Sequence, residues 1–308
     1  MKQLSIVVPC YNEAVTLPKL YQELQQQCTQ LAVGIEYVLV DDGSTDTTLA
    51  VMKTLATENT AVHYLSFSRH FGKEAALYAG LQTATGDYVV VMDADLQDPP
   101  ELLPQMLTKL QLGAWDCVAA RRTDRRGEGK VRSFLSNGFY QVINHVSKTQ
   151  FVPGVRDFRM MTRQMVDAVL ALPEYTRFSK GIFSWVGYRT NYLSYPNQRR
   201  VAGKSSWNIW NLFKYAADGI FDFSQLPLDL AVWIGLASFV ISLIGLLYII
   251  LRYVLVPASS VSGWASTICI IMLFGGVQLL CIGIIGKYIG KIYLQVKRRP
   301  LYLIKERH

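Results

Sequence analysis

In the stretch VVVMDADLQDPPE (89–101), an apolar run typical of a buried strand meets Asp93, Asp95 and Asp98 and is stopped by Pro99 and Pro100. On an extended strand, residues i and i+2 point to the same side, so Asp93 and Asp95 would place two carboxylates on one face. Such a pair repels itself unless a cation intervenes. A hard divalent ion takes one or two protein carboxylates and completes its shell with water and substrate phosphates, so the pair suits a metal-bridged phosphate. An acidic turn that only solvates a strand end uses the same residue types. A second acidic turn, VLVDDGSTD (38–46), weighs against that plainer reading: Asp46 is placed to cap the next helix, which leaves Asp42 spare.

The elements that must position these carboxylates alternate along the chain. LSIVVP (4–9), EYVLVDD (36–42), VHYLSF (62–67) and DYVVVMD (87–93) read as strands, separated by helical spacing at 13–27, 47–57 and 72–83. Alternation of this kind predicts an α/β fold with βαβ units, a parallel sheet and helices on both faces. Ligands then collect beyond the carboxyl ends of the strands, where both acidic turns fall. Residues 102–112 predict a helix, 115–121 a strand and 133–146 a further helix.

The apolar content, 51% of 308 residues, is unevenly spread. Residues 230–251 and 264–286 contain no charged side chain, and at 1.5 Å per residue each is long enough to cross about 30 Å of hydrocarbon. Two transmembrane helices joined by a short uncharged connection, 257–263, are expected. Lys287, Lys291, Lys297, Arg298 and Arg299 follow the second span, and Arg199, Arg200, Lys204 and Lys214 precede the first, which places both termini in the cytoplasm. The N-terminal apolar run is too short for a signal peptide. In 205–223, Asn211, Lys214, Asp218 and Asp222 share one face and Ile209, Phe213, Ala216 and Ile220 the other. That periodicity fits a helix lying on the bilayer or one packed on the soluble domain, and Trp207 with Trp210 favours the interface. The expected boundaries are 1–204 for a catalytic domain, 205–227 for the interfacial helix region, 228–290 for the hairpin and 291–308 for a basic cytoplasmic tail.

A formal net charge of +8 invites nucleic acid as a partner, but the excess sits near the membrane boundary and in RRTDRRGEGKVR (121–132), with no base-stacking platform. No nucleic-acid role is expected. Phosphate substrates and anionic headgroups account better for that placement. The five cysteines show no metal-binding spacing and receive no function.

Together, VVPCYNE, VDDGSTD, SRHFGKEAAL, DADLQDPPE and VRDFRMM resemble the GT-A-fold glycosyltransferases of family 2, in particular the polyprenyl-phosphate group that includes dolichyl-phosphate mannose synthases and bactoprenol glucosyltransferases. The likeness extends over essentially the whole chain, through the terminal VKRRPLY. It implies a Rossmann-like mixed sheet flanked by helices, an interfacial amphipathic helix and a C-terminal two-helix transmembrane hairpin. It further implies that Pro9, Tyr11, Glu13 and Asp42 line a nucleotide pocket. Asp93, Ala94 and Asp95 would hold a nucleotide-sugar diphosphate through Mg2+ or Mn2+, with Gln97 as a further ligand or neighbour. Asp157 matches the catalytic position. Arg122 matches a phosphate-binding arginine, and Arg200 opens a loop that reads RxxGxSK in mannosyl relatives. Here that loop is RVAGKSSW, so Ser206 stands where the family has lysine, and Lys204 lies two residues earlier.

The basic residues agree on physical grounds, because two like-charged phosphates must meet and need cations beyond one metal. Arg121, Arg122, Arg125, Arg126, Lys130 and Arg132 are the candidates, to which the resemblance adds Arg200 and Lys204. A polyprenyl monophosphate is already largely dianionic near neutrality, its second pKa being about 6. Asp157 is therefore expected to act less as a base than as an electrostatic partner of the reacting sugar or an orienter of Arg156 and Arg159. The resemblance implies inverting transfer of a hexose, best matched by glucose from UDP-glucose, to undecaprenyl phosphate at the bacterial inner membrane. UDP-N-acetylglucosamine and GDP-mannose are the alternative donors. A processive polysaccharide synthase and a non-catalytic nucleotide-sugar sensor are the rival functions; two spans and no QxxRW motif argue against the first, and Asp157 against the second. A homo-oligomer, a flippase and a downstream glycosyltransferase are partners that would fit.

Overall fold

The computed structural model describes residues 2–123, 141, 144–145, 152–172, 174–196, 224, 226–255 and 263–308. Arg125, Arg126, Lys130, Arg132, Arg200, Lys204 and the expected interfacial helix at 205–223 lie outside the described residues, as does most of the expected helix at 133–146.

β1 (Gln3–Cys10), β2 (Gly34–Asp41), β3 (Val62–Phe67) and β4 (Tyr88–Val91) form the parallel heart of an eight-stranded sheet, in spatial order β4-β1-β2-β3. α1 (Leu17–Cys28), α2 (Thr48–Glu58) and α3 (Lys73–Thr83) connect them in turn. The strands read as near-continuous apolar runs because both faces are covered. Ile6 and Val8 point into one core with Leu20, Leu24 and Met52, whereas Val7 and Val40 point into the other with Ala76 and Ala79.

The second half makes the sheet mixed. After α4 (Leu103–Gln111), β5 (Cys117–Arg122) pairs antiparallel with β6 (Val155–Thr162), which lies antiparallel to β4. α5 (Arg163–Leu170) and α6 (Ser179–Trp185) lead to β7 (Thr190–Tyr195), parallel to β5 at one edge. This arrangement brings β6 alongside β4, so residues at the start of β6 face the loop that follows β4.

Two helices, α7 (Leu226–Leu255) and α8 (Trp264–Val296), are long and apolar enough to cross a membrane. Trp233, Phe239, Ile241, Leu279 and Ile282 stand exposed along them, an apolar surface that water does not favour. Cys281 meets the carbonyl of Ala231 at 3.7 Å and Tyr288 that of Ser224 at 3.0 Å, so the helices run antiparallel as a hairpin. α8 continues about ten residues past the charge-free span, taking in Lys287 and Lys291.

The segment 291–308, expected to be only a basic tail, instead supplies a strand. β8 (Ile304–Arg307) pairs antiparallel with β3 and closes the other edge of the sheet. Glu306 accepts a hydrogen bond from Tyr64 at 2.8 Å and lies 2.5 Å from Lys53, while the ring of Tyr302 stacks on Phe67 at 4.8 Å. Four residues, IKER, carry no readable alternation, and the pairing is supplied by the edge they cover.

Candidate active site

The loops after β1 and β2 are tied to each other. Asn12 adopts a left-handed φ of 56°, its backbone N–H donates to Ser44 Oγ at 2.9 Å, and its side-chain Oδ1 accepts the Thr45 N–H at 2.9 Å. Asp46 accepts from Thr48 N at 3.0 Å at the start of α2 and also from Ala14 N at 3.3 Å. Asp42, expected to be spare, is fully engaged: its carboxylate accepts the N–H groups of Phe71 at 2.7 Å and Gly72 at 3.1 Å and faces His70 Nδ1 at 2.9 Å. Burial pushes its carboxyl above the usual range, against the Phe71 N–H and His70. His70 in turn stacks on the exposed ring of Tyr11, with centroids 4.2 Å apart. Gly43 permits this closeness. Its φ is 68°, and a Cβ there would sit 2.4 Å from the carbonyl carbon of Arg69.

The acidic turn after β4 is not an extended strand. β4 ends at Val91 and Met92 makes the last bond to β1, at 3.1 Å to Val7 O, after which residues 94–96 form a turn with Leu96 at φ 57°. Asp93 and Asp95 therefore meet different partners rather than sharing one strand face. Asp95 is buried and accepts the Gln97 N–H at 3.1 Å. Asp93 Oδ1 lies 2.6 Å from Lys73 Nζ, at the first residue of α3, and the same ammonium lies 2.5 Å from Asp157 Oδ2 on β6. Lys73 thus bridges the candidate diphosphate-binding and catalytic carboxylates.

Arginines pack the other side. Arg156 approaches Asp93 at 3.8 Å and Asp98 at 3.5 Å, and both Arg156 and Arg122 donate to Gln97 Oε1, at 3.4 and 3.1 Å. Gln97 is therefore an acceptor for two guanidinium groups. Asp98 is fully buried and accepts from Tyr195 of β7 at 2.9 Å. Two buried polar atoms here, Asp98 Oδ2 and Arg122 Nε, have no hydrogen-bond partner among the described residues. Both border a loop that carries the acidic motif.

Charge settles the state of Asp157. Burial alone would raise its carboxyl, but Lys73, then Lys180 and Arg159, outweigh burial and hold it well below the usual carboxylate range. Lys73 is correspondingly raised: burial opposes its charge, and Asp157 and Asp93 outweigh that opposition. A carboxylate so strongly held in its ionised form is a weak proton acceptor and a good fixed negative charge.

Residues 5–170 match the model of Glycosyl transferase family 2. The chain belongs to this family. Its mixed sheet is the GT-A arrangement with two apolar C-terminal helices appended, and as a member it is a glycosyltransferase. Similarity continues beyond the family domain. A Synechocystis protein named as an uncharacterized glycosyltransferase is 43% identical over 99% of this chain and 95% of its own. The bactoprenol glucosyl transferase of Shigella phage SfII is 41% identical over 99% of this chain and 98% of its own. Glucosyl-3-phosphoglycerate synthase from Mycobacterium tuberculosis, crystallised with Mn2+, uridine diphosphate and phosphoglyceric acid, is 18% identical with a TM-score of 0.48, covering 71% of this chain and 76% of that one.

The glycosyltransferase places several residues at this site that motif reading did not single out. Lys73 and Glu74 open α3, and Glu74 Oε2 accepts both the N–H, at 3.0 Å, and the hydroxyl of Ser179 at the start of α6. That link sets Lys180, the next residue of α6, beside Asp157. Lys73, His70 and Glu74 all fall in SRHFGKEAAL, whose place after a strand and before a helix was the available signal. Tyr195 and Lys180 carried none. Glu13 and Pro9 lie near the first loop, where Glu13 N donates to Thr48 Oγ1 at 2.8 Å.

Proposed function

We propose that this glycosyltransferase moves a hexose, glucose from UDP-glucose, onto undecaprenyl phosphate, with inversion at the anomeric carbon. The observation that carries the reading is Lys73 joining Asp93 to Asp157 beneath two arginines, on a chain that also bears a membrane-length helical hairpin. The name of the Shigella phage relative, aligned over nearly the full length of both chains, supports the acceptor and the sugar. UDP-N-acetylglucosamine and GDP-mannose remain the competing donors to be tried alongside.

In this reading Pro9, Tyr11, Glu13 and the Asp42–His70 pair shape the nucleotide pocket, with the stacked Tyr11 and His70 rings offering a flat face for the base. Asp93 and Asp95 would hold a divalent ion of the Mg2+ or Mn2+ kind. No group of three or more His, Cys, Asp or Glu side chains is arranged for a metal among the described residues, but such an ion needs only one or two carboxylates when phosphates complete its shell. The orphaned Asp98 Oδ2 beside this loop fits a site whose full complement of partners includes a bound group. The ion would supply charge neutralisation on the departing diphosphate.

The protein's own residues supply the rest. A lipid phosphate oxygen attacks the anomeric carbon, its bond to the β-phosphate oxygen breaks, and UDP leaves with that electron pair. The nucleophile arrives already ionised, so Asp157 stays charged and steadies positive charge on the sugar, while Lys73 and Arg156 offset the phosphates. Arg122, whose Nε has no partner among the described residues, would take a phosphate oxygen. The catalytic domain and both termini lie on the cytoplasmic side of a bacterial plasma membrane, as the distribution of Lys and Arg about the hairpin suggests.

The test is incorporation of radiolabelled sugar into a lipid fraction by purified protein given undecaprenyl phosphate and a panel of nucleotide sugars. Transfer should require a divalent ion and be abolished by chelation. Asp157→Asn should lose transfer while keeping UDP binding. Absence of lipid labelling with every donor would refute the proposal.

A further inference from the structure

The tail VKRRPLY takes no part in the transfer just described, yet it is folded. Past α8 the chain turns at Arg298, whose φ is 46°, and runs to β8. Between this connector, the last turn of α8 and the outer side of α3 lies a cavity of about 890 Å³. Its walls are fixed in place. Tyr175 N donates to Gln295 Oε1 and Tyr302 OH to Gln82 Oε1, each at 2.8 Å, and Tyr78 is covered by the guanidinium of Arg177 at 4.5 Å.

Three features define what would fill it. Val296, at its rim, ends the longer apolar stretch of α8 about 15 Å of helix past the charge-free span, so the cavity stands on the Lys- and Arg-rich, headgroup-facing side of that span. Its described lining holds two guanidinium groups, Arg298 and Arg299, and no carboxylate. The remaining wall is aromatic and aliphatic, from Tyr78, Tyr175, Val296 and Leu301. Cations over an apolar, aromatic wall at the membrane surface match a phosphate joined to a short polar stem and fatty chains. The volume lies within the ~300–1,000 Å³ range of small-molecule sites.

We propose that this cavity binds the glycerophosphate headgroup of an anionic phospholipid from the surrounding bilayer, with Arg298 and Arg299 on the phosphate and the rings against the glycerol and first methylenes. The occupant is not the sugar acceptor. Tyr78 and Gln82 lie about 7 and 13 Å along α3 from Lys73, on the stretch leading away from Asp93 and Asp157. A lipid held here clamps the end of α8 to the catalytic domain at the membrane plane.

The full-length protein, placed in phosphatidylcholine nanodiscs containing a minor share of phosphatidylglycerol, tests this by native mass spectrometry after release. One retained phosphatidylglycerol per chain is expected, with no matching retention of phosphatidylcholine. Arg298→Gln with Arg299→Gln should lower that occupancy about tenfold or more. Leu301→Glu, which adds a carboxylate to the wall and leaves both arginines, should lower it as well. Both variants should keep the wild-type thermal midpoint. Equal retention of the two lipids, or unchanged occupancy in both variants, overturns the proposal. So does displacement by inorganic phosphate alone, which would make the site one for soluble anions, or by undecaprenyl phosphate, which would make it an acceptor site.

Discussion

Replacing Glu74 by glutamine isolates one half-buried charge. Burial raises this carboxyl from an ordinary 4.5 to about 7; the Ser179 hydroxyl opposes the rise and the Asp157 charge adds to it. Between those two pH values the folded chain keeps the proton and the unfolded chain does not. Stability therefore falls as pH climbs through that window and is level above it. The gap corresponds to about 3 kcal/mol lost by the wild type at high pH relative to low. Glutamine keeps an oxygen for the N–H and hydroxyl of Ser179 but has nothing to ionise. Glu74→Gln should thus match the wild type in stability near about pH 4.5 and exceed it by up to about 3 kcal/mol at about pH 8. Denaturant titration in mixed micelles at both pH values, followed by tryptophan fluorescence, measures the difference. A wild-type-to-variant gap that is the same at both pH values would show that Glu74 ionises normally and that the reasoning is wrong.

Lys73→Met removes the cation between Asp93 and Asp157 and should lower kcat for lipid glycosylation by roughly 10²–10³-fold, the cost typical of one lost transition-state electrostatic partner; an unchanged kcat would exclude a role in the reaction. Gly43→Ala forces a Cβ to within 2.4 Å of the Arg69 carbonyl carbon at a left-handed φ, and should cost about 1–3 kcal/mol while raising KM for the nucleotide sugar, since the loop that holds Asp42 and His70 must shift. Deleting residues 304–308 uncovers β3 and should lower stability by about 1–3 kcal/mol and promote concentration-dependent association, read by thermal denaturation and size-exclusion chromatography.

Much of the catalytic half was legible because its signals are local. Apolar runs in β1, β2 and β4 mark strands buried on both faces, and the acidic turns mark their carboxyl ends. The membrane-length helices declare themselves by length and absence of charge alone. Other features were hidden because they depend on pairs far apart in sequence. Nothing near Asp98 announces Tyr195, 97 residues later, and nothing in IKER announces β3.

Residue types and their order determined that this chain builds a family 2 sheet, ends in a membrane-length hairpin and carries carboxylates at the carboxyl ends of its strands. Tertiary structure decided which charges meet. The antiparallel pairing of β6 with β4 brings Asp157 to within reach of the Lys73 ammonium that also holds Asp93, 84 residues from Lys73 along the chain in the case of Asp157. Coulomb interaction depends on distance through space and on burial, and neither is written in local sequence.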